Sequence, residues 1–171
     1  PEVPIISGVA HDNTESLATV RRVPNEPGMA AKVFTLLAEA GVNVDMIVQA
    51  SASTGTADIS FTVPGSAAAK VRDVLQEKQD ELGYQSFDID ANVGKVAVVG
   101  VGMKTHSGLA AKFFNALSDK GVNVLMISTS EIRIAALVPL EQLQDAVRAL
   151  HTAYGLDAEQ VEAVVYGGTG R

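Results

Sequence analysis

Cysteine and tryptophan are both missing from this 171-residue chain, and aromatic residues make up only 5% of it. Without cysteine there are no disulfides and no thiolate metal sites, which fits a reducing, cytoplasmic setting. Basic residues are also scarce, 13 against 20 acidic, for a net charge of −7 and a pI near 4.9. They are scattered rather than clustered, which excludes the basic stripe that a nucleic-acid surface needs. Long apolar runs are lacking too. The longest, Val96 to Met103, contains two glycines and is too short to cross a bilayer. The first residues, Pro1-Glu2-Val3-Pro4, show no basic region followed by an apolar run, so no secretory leader is read there. Against these absences stands a hydrophobic content of 47%, ample for a globular core.

The chain repeats itself. With Gly28 set on Gly108, twelve of the twenty positions 28–47 match 108–127: Gly28, Ala30, Ala31, Lys32, Phe34, Leu37, Gly41, Val42, Asn43, Val44, Met46 and Ile47. Two copies of a unit of about eighty residues follow from this. In the first, Leu17 to Val23 reads as a strand stopped by Pro24. Pro27 and Gly28 then open a helix, with Pro27 expected in its first turn. Its stripe is Ala30, Val33, Phe34, Leu37 and Ala38, and Gly41 ends it. Val42 to Ala50 reads as one strand, and the alternation Ala57, Ile59, Phe61, Val63 as another. A second helix carries Val71, Val74, Leu75 and Leu82, and Tyr84 to Ile89 closes the unit.

The second copy runs in the same order: strand Lys95 to Val101, helix Ser107 to Lys120, strands Val122 to Ser128 and Glu131 to Val138, then a helix from Pro139 to Tyr154. A strand is expected over Glu162 to Tyr166. The order βαββαβ, twice, predicts an α+β protein of two tandem ferredoxin-like units, each a four-stranded antiparallel sheet under two helices. The expected divisions are 15–91 and 92–171, the second completed by the N-terminal segment 1–14. There, Ile5 to Ala10 is a strand with no other place to go.

No catalytic constellation is visible. His11, His106 and His151 lie far apart and follow no metal-ligand spacing. Ser107 beside His106 reads as a helix N-cap rather than a nucleophile with its base. Gly100-Val101-Gly102 lacks the third glycine of a dinucleotide loop, and Gly167-Gly168-Thr169-Gly170 has no helix behind it. Neither a cofactor nor a metal is expected. What remains are two strand-to-helix loops, Val23 to Gly28 and Met103 to Gly108. Each ends in a glycine where free N–H groups can hold a carboxylate.

The pattern strand, Pro-Gly, helix, Gly-Val-Asn-Val resembles ACT domains, which are small-molecule sensors. Met126-Ile127-Ser128-Thr129-Ser130-Glu131-Ile132-Arg133-Ile134 is similar to a segment of the regulatory region of aspartate kinases. So are Gly8-Val9-Ala10-His11-Asp12, Val101-Gly102-Met103-Lys104 and the ending Val164 to Arg171. The kinase domain of that family, with its Lys-Phe-Gly-Gly opening, is not in this sequence. The resemblance therefore implies a separate regulatory (β) subunit or an excised regulatory region, not an enzyme by itself. It further implies a homodimer, a catalytic α subunit as partner, and feedback inhibition by threonine, lysine or both. The alternative is an ACT-type amino-acid sensor of another biosynthetic enzyme.

By the same resemblance, a threonine site would use Asn25, Gly28, Met29, Ala30, Ala31 and Gln49, with Asn123 and Val124 from a facing subunit. A second site would use Val44, Asp45, Thr105, His106, Gly108, Leu109, Ala110 and Ser130. Two departures bear on the effector. Asn25 stands where the family's loop commonly has Asp, and Lys112 and Leu125 stand where lysine-responsive relatives carry carboxylates.

Overall fold

The computed structural model describes residues 5–102, 108–156 and 164–166. The chain divides into two compact units. One is Glu15–Ala91; the other joins Pro1–Thr14 to Asn92–Arg171.

In the Glu15–Ala91 unit, strands β2 (Glu15–Pro24), β3 (Ile47–Ser51), β4 (Thr56–Pro64) and β5 (Ser86–Asp90) lie in the order β3-β4-β2-β5, every pair antiparallel. The helices are α1 (Met29–Glu39), α2 (Ala68–Glu77) and the single turn α3 (Gln79–Leu82). This is the ferredoxin-like order that βαββαβ implies: the first strand sits between the third and the fourth. The core gathers Val20, Val23, Ile59, Phe61 and Val63 of the sheet with Val33 and Leu37 of α1 and Val71 and Leu75 of α2. Phe34 meets Phe61 edge-on, ring centroids 5.4 Å apart. The buried Tyr84 hydroxyl is satisfied by donating to the Leu75 carbonyl at 2.6 Å.

The other unit repeats this with β6 (Val93–Val101), β7 (Met126–Thr129) and β8 (Arg133–Pro139), and with helices α4 (Gly108–Asp119) and α5 (Leu143–Ala153). Its fourth strand comes from the N-terminus. Strand β1 (Ile5–Asp12) pairs antiparallel with β6, Val9 opposite Val98. The strand that leaves α5, β9 (Val164–Tyr166), must run in the same sense as β1. With the place beside β6 taken, it pairs with the outer edge of β1, in parallel. The sheet is thus five-stranded, β7-β8-β6-β1-β9, rather than four, and it contains one parallel pair. Gly94 on β6 lies under α5: a Cβ there would stand 2.9 Å from Leu143 Cδ2, so the close approach needs a residue with no side chain.

Several element bounds differ from the sequence reading. Paired strand begins at Ile47, not Val42, because Thr62 intervenes: its hydroxyl takes the Met46 N–H (2.9 Å) and its carbonyl the Asp45 N–H (2.9 Å). In the other unit β7 likewise starts only at Met126, although Leu125 N–H already reaches the Leu137 carbonyl of β8 at 2.7 Å. Pro27 precedes α1 instead of sitting in its first turn, and Ala38 is exposed rather than part of the buried stripe. The N-cap reading of Ser107 and the Gly167–Gly170 tail fall outside the described residues.

Candidate functional site

The loop Pro24–Gly28 carries the chain from β2 into α1. Gly28 holds φ 92°, a left-handed conformation that an L side chain rarely adopts, although a Cβ would meet nothing within 4 Å. The requirement for glycine is therefore conformational, not steric. From there the helix begins without a side-chain cap. Lys32 N–H reaches the Gly28 carbonyl at 2.9 Å and Met29 N–H the Glu26 carbonyl at 3.2 Å. No hydrogen bond among the described residues takes the N–H of Ala30 or Ala31. These are the orphan donors every helix start leaves, at the positive end of the dipole.

They open on a cavity of about 130 Å³ lined by Val23, Pro24, Asn25, Glu26, Gly28, Met29, Ala30, Ala31, Gln49, Ala57 and Ile59. All of it lies within one unit. Every residue of the expected threonine site that belongs to this unit is in the lining: Asn25, Gly28, Met29, Ala30, Ala31 and Gln49. Asn25 is steadied by its N–H on the Gly55 carbonyl (3.0 Å) and its amide on Ser51 Oγ (3.2 Å). Gln49 sits on edge strand β3 opposite Ile59 of β4. The walls Val23, Ala57 and Ile59 are buried and apolar.

Sequence reasoning missed Glu26, the only ionisable residue of the lining. Asn25 leaves its own position uncharged, and the neighbouring exposed Glu26 is the acidic residue at the cavity. The site therefore offers unpartnered N–H donors for an anion, and its lining includes one acidic residue and two with side-chain amides. Its volume is well below the roughly 300–1,000 Å³ of sites for drug-sized ligands. That combination suits a compact zwitterion. Among the described residues no three His, Cys, Asp or Glu side chains gather as a metal site.

Asn123 and Val124 belong to the other unit, in the stretch before β7. Asn123 N–H donates to Gln142 Oε1 (2.9 Å), and Val124 packs on that unit's core. Of the second expected site, Thr105 and His106 lie outside the described residues. Gly108 opens α4; Leu109 and Ala110 rest against the core. The Leu109 carbonyl accepts the Tyr154 hydroxyl at 2.8 Å, and burial pushes that hydroxyl's pKa up to about 12, so it stays a donor. Lys112 Nζ lies 4.8 Å from the centroid of the Tyr154 ring, a cation–π contact. Ser130 forms the turn between β7 and β8, its N–H on the Arg133 carbonyl (2.8 Å). Val44 and Asp45 are in the first unit, where Val44 packs on the core.

The architecture is that of two like units, each with a helix that follows its first strand, and in the Glu15–Ala91 unit that helix starts uncapped beside a small cavity. The model of the ACT domain family matches residues 21–79 and 96–154. The aspartokinase of Corynebacterium glutamicum is 45% identical over 99% of this chain, and that of Mycobacterium tuberculosis 44%. The chain spans about two fifths of the length of these relatives, 41% of each. Among solved structures, a chain of the aspartokinase α and β subunits is 42% identical, with a TM-score of 0.83 over 88% of this chain and 99% of that one. The ligand-free regulatory subunit of aspartate kinase from Thermus thermophilus is 36% identical over the same shares, also at 0.83. The chain belongs to the ACT domain family, as the non-catalytic, regulatory part of an aspartokinase.

Proposed function

We propose that this chain senses threonine for an aspartate kinase and passes feedback inhibition to the catalytic α subunit. The observation that carries this is the pairing of unpartnered N–H groups at the start of α1 with a single carboxylate residue around one small cavity. Threonine's carboxylate takes the Ala30 and Ala31 N–H groups, and its ammonium goes to Glu26. Asn25 and Gln49 are the polar partners on hand for its hydroxyl. Lysine carries two cations, and the lining has one carboxylate; a second cation would be desolvated without a partner. Lys112 beside the other helix start adds a like charge there.

Asn123 and Val124 of a facing chain complete the site in this reading, which makes the sensor a homodimer. Support comes from two of the four edge strands. Ile47 and Val48 on β3, and Ile127 on β7 with Leu125 just before it, are exposed apolar residues beside unpaired backbone. Edges of that kind are covered by pairing.

Calorimetric titration of the isolated chain tests the effector. Threonine should bind and lysine should bind weakly or not at all, while ATP with aspartate should not be turned over. Lysine binding as tightly as threonine would overturn the choice of effector.

A further inference from the structure

The effector loop is launched from a bulge. Strand β2 pairs with β4 as Val20 with Ile59 and next as Val23 with Ala57, three steps on one strand against two on the other. Val20 and Val23 are both in the core, and Arg21 and Arg22 are both exposed. An unbulged strand would alternate, turning Arg22 inward and Val23 away from the cavity it lines. The extra residue is absorbed at Arg22, which holds φ 56° and is the single non-glycine residue of positive φ among the described residues. Its N–H donates to Asp58 Oδ1 at 2.9 Å. Asp58 stands on β4 between Ala57 and Ile59, two walls of the cavity, and is itself exposed outside the lining.

The repeat supplies an internal control. Eighty residues on from Arg22 is Gly102, which holds φ 74°. Both units thus turn left-handed six positions before the glycine at the helix start. One meets that demand with glycine, the residue to which such a backbone costs nothing. The other meets it with arginine plus a carboxylate that accepts the kinked N–H, a charge-assisted hydrogen bond.

We infer that Asp58 is a positioning residue for the effector loop. By accepting the Arg22 N–H it holds the left-handed kink, and the kink sets which way Val23 points and where Pro24–Gly28 are aimed. Asp58 does this without touching the ligand. The binding consequence rests on the threonine reading above; the effect on the loop does not.

Two readouts keep these apart: threonine affinity by calorimetry, and hydrogen exchange in the ligand-free chain of the Asn25, Glu26 and Met29 amides, the hydrogen-bonded ones of the loop. Asp58→Ala should weaken threonine about tenfold, or 1.4 kcal/mol, and speed exchange in the loop. Asp58→Asn retains an oxygen acceptor and should bind as the wild type does. Arg22→Gly combined with Asp58→Ala should restore affinity and protection, because glycine holds the kink unaided. A general loss of stability would not be repaired by adding a glycine.

Wild-type behaviour of Asp58→Ala in both readouts would overturn the inference. So would a double variant as weak as Asp58→Ala alone. If Asp58→Ala does not fold, Arg22→Val leaves Asp58 in place and puts a β-branched side chain on the left-handed position; normal binding and exchange in that variant would equally overturn it. Should the wild type not bind threonine, the effector reading falls. The exchange data on the same variants then decide the role of Asp58 by themselves.

Discussion

Glu26 and Ala30 test the cavity from its two ends. Glu26 is exposed, so its attraction for an ammonium works in a largely aqueous dielectric and is worth about 0.5–1 kcal/mol. Glu26→Gln should lower threonine affinity by that amount. Added salt should weaken binding less in the variant than in the wild type, because a screened pair has been removed. Ala30 lines the cavity from the first turn of α1, half-buried, with its N–H unpartnered. Ala30→Val adds two methyl groups where a compact ligand must lie, and overpacking a tight site costs about 1–3 kcal/mol. Threonine binding should fall by more than about 1 kcal/mol with little loss of thermal stability, as read by calorimetry and melting of the same samples.

These two residues also show how legible the site was. Ala30 was assigned to the site through the resemblance to aspartate-kinase regulatory regions; the repeat, in which it recurs as Ala110, marked only its helix. Glu26 was not: it lies in a short loop with no periodicity to show that residue 26 lines the cavity.

Elements were read well where apolar periodicity decides them and poorly where side chains interrupt the ladder. Val42, Val44 and Met46 look like a strand because alternate residues are apolar, and Val42 and Met46 are indeed buried. The backbone there is nevertheless held by Thr62 rather than by a regular ladder, which no pattern of hydrophobicity reports. The parallel pairing of β9 was equally hidden, since it follows from β1 occupying the place beside β6.

That same strand carries a pH response. His11 on β1 has its pKa lowered below 6.5, first by burial and then by the charge of His151 on α5; neighbouring Asp12 opposes the shift. The unfolded chain therefore takes up the proton first as pH falls. The stabilisation is complete above pH 6.5 and is lost as pH drops from there toward the lower folded value. Urea unfolding between about pH 8 and pH 5 should show midpoints declining on the acid side. His11→Gln should flatten the decline; His151→Gln should flatten it in part, since burial remains.

At the scale of the whole chain, the two units differ in how they are assembled from sequence. Glu15–Ala91 is continuous, whereas the other unit needs a segment from the opposite end of the chain. Strand β1 lies inside that sheet, paired on both sides, by seven registered positions with β6 and three with β9. Val9 at its centre is fully buried, and losing such a side chain alone costs about 1.5–3 kcal/mol. Removing residues 1–14 would also leave β6 paired with β8 alone, its other side stripped of the antiparallel ladder to β1, and the lost hydrogen bonds add to the cost. Since a domain is worth only about 5–15 kcal/mol in total, the truncated unit should not stay folded. The Glu15–Ala91 unit, whose core takes no residue from the deleted segment, should survive. A ¹H–¹⁵N correlation spectrum of the truncated chain should show dispersed, native-like signals for residues 15–91 and collapsed ones from 92 onward. Adding a synthetic peptide of residues 1–14 should bring the second set back. Native dispersion throughout the truncated chain, with no peptide added, would mean that β1 is dispensable and that the two units are not built as this register implies.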